Sequence, residues 1–300
     1  MEIGFSLPHL HKQAHDVAKT AQFARAAEEA GAASFWVGDR NMAAVNPKAG
    51  AGGRGNAIPV EYRTAADPFI TLALAAGATE HARLGMHVLI APLYPPVQLA
   101  RSLTTLDLAS GGRVLAGFGI GWSPEEYAAA GLDFHRRGAR MDELLDALET
   151  IWSRDPAEYH GKEIDIALHH APLKPVQRPR LPLYLGGRAE AALRRIGRRA
   201  DGWLPLCVVP DFVSIEVIQE QRRTIDEAAR GAGRDPSEID TVMRVNINPG
   251  TSLQRVADTV KVIAEATGIG HFVIETSYVA FTAAESLEVA TGLLPLIERG

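Results

Sequence analysis

Eight short runs rich in Val, Ile, Leu and aromatic residues recur along the chain, separated by segments of helical length. This regular alternation limits the folds open to it. The runs cover residues 3–7, 34–38, 83–90, 113–119, 181–186, 201–206, 240–247 and 271–276. The segments between them carry helix punctuation. Asp67-Pro68 offers an N-cap followed by proline at the first helical position, and Ser123-Pro124-Glu125-Glu126 adds a capping box that accounts for Glu126. Thr251 with Gln254, and Thr282 with Glu285, repeat the box, while Gly31, Gly111 and Gly268 stand where helices should stop. Strand followed by helix from end to end implies parallel strands, right-handed crossovers and an outer layer of helices. Eight such units in 300 residues, with no break into halves, predict an α/β fold of the (β/α)8 TIM-barrel type in one domain, residues 1–300. Residues 41–63 and the proline-rich 155–180 fall outside the pattern and are expected to be long loops that act as lids or walls.

Composition removes several function classes. A net charge of −5 argues against a general nucleic-acid binder, and the arginines at 194, 195, 198 and 199 read as a solvated helix face. No apolar run approaches the roughly 20 residues needed to cross a bilayer, and residues 1–16 lack the features of a signal peptide, so the expected location is the cytoplasm. The single cysteine, Cys207, permits no internal disulfide and no thiolate cluster, and reads as a core residue. No metal requirement is expected. His9 and His11 follow the first strand at the end where a pocket would lie, but lack the acidic partners of a metal site, and His169 and His170 have none either.

In a TIM barrel the active site is built at the carboxyl ends of the strands, so the residues just after each strand are the informative ones. Gly117, Gly119 and Gly121 follow the fourth strand, where glycine allows a sharp turn or close approach to a flat ligand. Gly186-Gly187-Arg188 follow the fifth and open a helix, a place suited to an anion. His87-Val88 lie in the third strand and Asp39-Arg40 after the second.

Residues 106–152, containing GFGIGWSPEEY and GLDFHRRGARMDE, closely resemble the signature region of the bacterial luciferase-like superfamily, in particular its coenzyme F420-dependent, deazaflavin oxidoreductase branch. Residues 183–205 and 67–107 resemble further segments of that family, so the similarity covers nearly the whole chain. The resemblance implies a barrel that holds a flavin or deazaflavin at the carboxyl ends of its strands. Carried over by position, Gly119, Ile120, Gly121 and Trp122 would lie beside the cofactor, Gly186, Gly187 and Arg188 would meet its phosphate, and the His87-Val88 peptide would be a cis bulge supporting the ring. The glycines would keep side chains out of the space the cofactor fills. Asp39, Arg40 and His87 would face the reacting end. Relatives often carry Asp-His where this chain has Asp39-Arg40, and arginine cannot act as a general base, although it can stabilise an anion. His87 is read either as a packed, hydrogen-bonded side chain or as a ring contact and proton carrier. The implied function is hydride transfer between F420 and a small organic substrate in a homodimeric enzyme. The alternatives are an FMN-dependent monooxygenase and a non-catalytic cofactor-binding homologue.

Overall fold

The computed structural model describes residues 1–50 and 55–298. In chain order the strands and helices are β1 (Glu2–Ser6), α1 (Thr20–Glu29), β2 (Ser34–Val37), α2 (Pro68–Ala76), β3 (Arg83–Met86), β4 (Leu89–Ile90), α3 (Pro96–Ala109), β5 (Val114–Gly119), α4 (Pro124–Ala129) and α5 (Arg137–Ser153). They continue as β6 (Ala157–His160), β7 (Asp165–His169), β8 (Leu183–Leu185), α6 (Glu190–Arg199), β9 (Gly202–Trp203), β10 (Leu206–Val209), α7 (Ile215–Gly231), β11 (Asp240–Ile247), α8 (Leu253–Thr267), β12 (His271–Glu275) and α9 (Ala283–Glu298).

The parallel sheet runs β10-β11-β12-β1-β2-β3-β5-β8-β9, and β9 pairs back onto β11 through Asp240 opposite Gly202 and Thr241 opposite Trp203. That last ladder closes the barrel. Each of the eight expected apolar runs supplies one stave, with β3 and β4 sharing the third and β9 and β10 the sixth. Strands buried on both faces need not alternate apolar with polar, and β5 is buried at every position. Inside the barrel, large rings sit opposite glycines. A Cβ on Gly85 would lie 2.3 Å from the Trp36 ring, and one on Gly202 would lie 2.1 Å from the Tyr184 ring. Trp36, Leu115, Tyr184, Leu204, Val242 and Val273 fill this interior, with Val88 packed against them. The main core lies between the barrel wall and the helices.

Asp67 caps α2 by accepting from the Ile70 amide, and Gly268 ends α8 in the left-handed region at φ +74°. Ser252 rather than Thr251 caps α8, accepting from the Arg255 amide. The 155–180 stretch differs from the expected plain loop, because β6 and β7 form an antiparallel hairpin outside the barrel. Buried Ile164 and Ile166 hold it down, and both carboxylate oxygens of Glu143 on α5 accept amides from Lys162, Glu163 and Ile164 at its turn. One short alternating strand among prolines gave too weak a periodic signal to read as a strand.

Candidate functional site

The two glycine turns meet at one end of the barrel, around the segment that joins β3 to β4. A Cβ on Gly119 would lie 2.5 Å from Val88 Cγ2, and one on Gly186 would lie 3.0 Å from Val88 Cγ1. Gly121 turns with φ +67°, and its Cβ would meet Ile90 Cγ2 at 2.6 Å. The glycines thus do not simply leave a slot open, since the space beside them holds Val88 and Ile90. Only glycine leaves room for Val88 against the ends of both β5 and β8, and for Ile90 against the turn after β5. The His87-Val88 peptide is cis, as the resemblance implies, and the Val88 side chain remains partly exposed between the turns.

Asp39 and Arg40 leave β2 toward the same mouth and do different things. Asp39 Oδ2 accepts from the Ile90 amide at 2.9 Å and the Tyr94 hydroxyl at 3.0 Å. Burial pushes its carboxyl up to about 6, against the pull of those two donors. Arg40 is buried, with its guanidinium 4.0 Å above the Trp122 ring and Nη1 3.3 Å from Glu126 Oε2. Its Nε and Nη2 have no partner among the described residues. Burial lowers the Arg40 pKa and the Glu126 carboxylate raises it, while burial raises that of Glu126.

Glu126 is not the helix cap that its sequence position suggests. Its Oε1 accepts from the Asn41 amide at 2.9 Å and the Met42 amide at 3.3 Å, and Glu125 Oε1 accepts from the Lys48 amide at 2.7 Å. The Ser123 hydroxyl donates to Glu125 Oε2 at 2.8 Å rather than capping α4. The acidic pair therefore staples the loop after β2 onto α4, and a spacing rule limited to one helix could not reveal a partner some 85 residues away. Removing the staple has a local consequence. In Glu126→Ala, amide exchange at Asn41 and Met42 is expected to speed up at least ~10-fold, while Leu115 and Phe118 in β5 keep their rates. Equal acceleration in β5 would assign Glu126 to global stability instead.

Below the mouth lies a polar layer that the sequence reading missed. Ser6 Oγ donates to Glu275 Oε2 at 2.9 Å and lies 3.0 Å from His87 Nε2. Arg244 Nη2 meets the same Glu275 oxygen at 3.0 Å, Nη1 donates to the His87 carbonyl at 3.1 Å, and Nε donates to Asn246 Oδ1 at 2.8 Å. Burial is the largest influence on Glu275 and opposes its ionisation, yet the Arg244 charge, the His9 and His87 rings and the Ser277 amide together outweigh it and hold the carboxyl at about 2. The available signal was a charge next to apolar residues in each of two strands, Arg244 between Met243 and Val245 in β11 and Glu275 at the end of β12. Above this layer the Tyr62 and Tyr278 hydroxyls meet at 2.7 Å.

His9 is structural. Its Nδ1 donates to the Leu7 carbonyl and its Nε2 accepts from the Gly38 amide, each at 2.6 Å, which uses both ring nitrogens. The Gly186 amide donates to the Phe118 carbonyl at 2.8 Å, so it is already engaged within the sheet, while Arg188 is exposed with its guanidinium 5.6 Å from the Phe212 ring centroid. Ile120 is half-buried, and its carbonyl accepts the Tyr127 hydroxyl at 2.6 Å. Gly187 turns at φ +154° against Ala192. A cavity of about 660 Å³ lies instead at the opposite, amino-terminal end of the barrel, beside Trp203 and Asp240. There the Arg222 guanidinium is engaged by Asp226, Thr241 and the carbonyls of Pro236 and Ile239, and the carboxyl-end rule makes the mouth the better candidate. Among the described residues no group of three or more His, Cys, Asp or Glu side chains could hold a metal ion. Burial pushes the Cys207 thiol up to about 12, and among the described residues no helix is long and apolar enough to cross a membrane.

The model of the luciferase-like monooxygenase family matches residues 1–291. An uncharacterized protein of Mycobacterium tuberculosis is 33% identical over 218 residues, which is 72% of this chain and 75% of that protein. An F420-dependent secondary alcohol dehydrogenase, solved with an F420-acetone adduct, superposes with TM-score 0.77 at 16% identity, covering 99% of this chain and 98% of that one. A type II Baeyer-Villiger monooxygenase from the CAM plasmid of Pseudomonas putida, solved with FMN, gives TM-score 0.74 at 15% identity over 100% and 98%. The closed parallel barrel and a family match spanning nearly its full length agree: this chain belongs to the luciferase-like monooxygenase family.

Proposed function

We propose that the protein is an F420-dependent oxidoreductase that transfers a hydride between the deazaflavin ring and a small organic substrate at the carboxyl-end mouth of the barrel. One observation carries this reading. Val88 is wedged between two glycine turns, and on neighbouring staves nearby Arg40 Nε and Nη2 and His87 Nδ1 have no partner among the described residues. Buried polar groups without partners are uncommon, and a planar heterocycle with carbonyl and ring-nitrogen groups is chemically suited to them. Val88 would support the ring, Gly119, Ile120, Gly121 and Trp122 would border it, and Gly186, Gly187 and Arg188 would lie toward its phosphate.

When bound, the deazaflavin supplies a two-electron hydride carrier, and the protein contributes orientation and electrostatics. Arg40 stays cationic and can stabilise negative charge on a reduced ring. Asp39, whose carboxyl burial raises to about 6, is mostly an ionised acceptor at pH 7 and becomes a hydrogen-bond donor only as pH falls below about 6. Coenzyme F420 is favoured by the 106–152 motif and by the F420-dependent structural neighbour. FMN is the second reading, favoured by the FMN-bound neighbour of nearly equal similarity, and it would make the protein a monooxygenase.

Titration of the apo protein with each cofactor in the absence of oxygen, followed by fluorescence quenching, separates the two. The expected result is micromolar affinity for F420 and binding of FMN at least ~10-fold weaker, a gap of about 1.4 kcal/mol. The opposite order would establish the FMN reading, and failure of both would end the cofactor assignment. The protein is further expected to be a homodimer acting in the cytoplasm on a small molecule, with no nucleic-acid or membrane partner.

A further inference from the structure

The hydrogen count around Ser6 assigns the protonation of His87. Ser6 has a single hydroxyl hydrogen, and Glu275 Oε2, an ionised oxygen that can only accept, takes it at 2.9 Å. Ser6 Oγ must then act as an acceptor toward His87 Nε2, 3.0 Å away, so Nε2 carries the ring proton. Burial, reinforced by the Arg244 charge, holds the His87 pKa well below its usual range, and the ring is neutral. What remains is a bare lone pair on Nδ1, in a side chain only 5% exposed and without a hydrogen-bond partner among the described residues.

The surrounding groups do not provide one. The His9 ring, 6.2 Å away, has both nitrogens engaged; Arg244 holds the His87 carbonyl; and Trp36 stacks parallel at 5.9 Å. A buried acceptor held in one tautomer by a serine and a carboxylate is matched by a ligand that brings a hydroxyl hydrogen.

We propose that His87 Nδ1 accepts the hydroxyl of a secondary-alcohol substrate, and that Ser6 and Glu275 are positioning residues that fix the required tautomer. This rests on the hydride-transfer reading and supplies the base that Arg40 cannot be. In the oxidative direction the carbinol C–H bond breaks, and its hydrogen leaves with the electron pair to the deazaflavin ring, which is reduced. The O–H bond breaks as its proton passes to Nδ1, and the carbon–oxygen double bond of a ketone forms. The resulting imidazolium keeps its Nε2 proton toward Ser6, whose hydroxyl points to the Glu275 anion. Ketone reduction is the same step reversed, with Nδ1 returning the proton.

The test begins without cofactor. In protein labelled with 15N-histidine, the His87 signals, identified by their loss in His87→Gln, should show protonated Nε2 and bare Nδ1 from pH 6 to 8. Ser6→Ala should populate both tautomers, and Ser6→Thr, which keeps the hydroxyl, should restore the single one. A proton on Nδ1 in the unaltered protein, or a tautomer indifferent to Ser6→Ala, overturns the positioning role. F420 affinity is then measured by quenching. In F420-loaded protein, cyclohexanol should shift the Nδ1 resonance upfield, and cyclohexyl methyl ether, which lacks the hydroxyl hydrogen, should not. Ser6→Ala should lower kcat for cyclohexanol at least ~10-fold with F420 affinity unchanged. Absence of F420 binding would overturn the hydride-transfer reading and the alcohol assignment together. Binding with an unresponsive Nδ1 would overturn the alcohol assignment alone.

Discussion

Arg244→Met is expected to destabilise the protein by about 3–5 kcal/mol, the usual cost of stranding a buried charge. Arg244 is the cation that pairs with Glu275, and Glu275 is completely buried with its carboxyl held at about 2. Without the guanidinium, the hydrogen bonds left to the anion among the described residues come from the hydroxyl of Ser6 and the amide of Ser277. Urea unfolding measures the loss, and its pH dependence identifies the cause. In the unaltered protein the Glu275 carboxyl is depressed below its unfolded value of about 4.3. Its contribution is therefore complete above about pH 4.3 and is lost as pH falls toward 2. In Arg244→Met, burial without a cation should raise the carboxyl above the unfolded value, so stability should instead fall as pH rises above about 4.3. Arg244→Met combined with Glu275→Leu should recover most of the loss, because an apolar pair can replace a buried ion pair. A single variant with unchanged stability would show that the pair carries little energy.

Gly119→Ala is expected to weaken F420 binding at least ~10-fold and to cost about 1–3 kcal/mol of stability through overpacking. The added Cβ would lie 2.5 Å from Val88 Cγ2 and would displace the side chain assigned to support the ring. Val88→Ala removes the obstructing methyl groups, so the double variant should regain stability. It should regain affinity only in part, because the support is trimmed. Gly117→Ala is the control. Its Cβ would fall 1.7 Å from the Met86 carbonyl oxygen, a backbone atom that no side-chain trimming relieves, so Val88→Ala should not rescue it. Rescue of both glycine variants by Val88→Ala would contradict the wedge.

The barrel was legible because each stave is a short run buried on both faces and bounded by clear caps, such as Asp67 before α2 and Gly268 after α8. The candidate site was legible only in outline. The two glycine turns could be read because their place after each strand is set by the fold, whereas the cis peptide at His87-Val88 was expected only from the family resemblance. The polar layer could not be read. Ser6 and Glu275 are 269 positions apart and are brought together by the β1–β12 ladder, so no local spacing links them. Glu126 was misread for a related reason. Its sequence neighbours offer a helix cap, while the closed barrel delivers the Asn41 and Met42 amides and the Arg40 guanidinium to the same carboxylate. Local chemistry predicts local partners, and here long-range contacts determine the polar pairings.

A crystal structure of the protein grown with F420 in the absence of oxygen would test the placement of the site most directly. The expected result is the deazaflavin ring against Val88, between the turns at Gly119 and Gly186, with Arg40 Nε or Nη2 and His87 within reach of the ring or of a bound alcohol. F420 in the cavity beside Trp203 and Asp240 at the other end of the barrel, or a ring held with no contact to Val88, would contradict it.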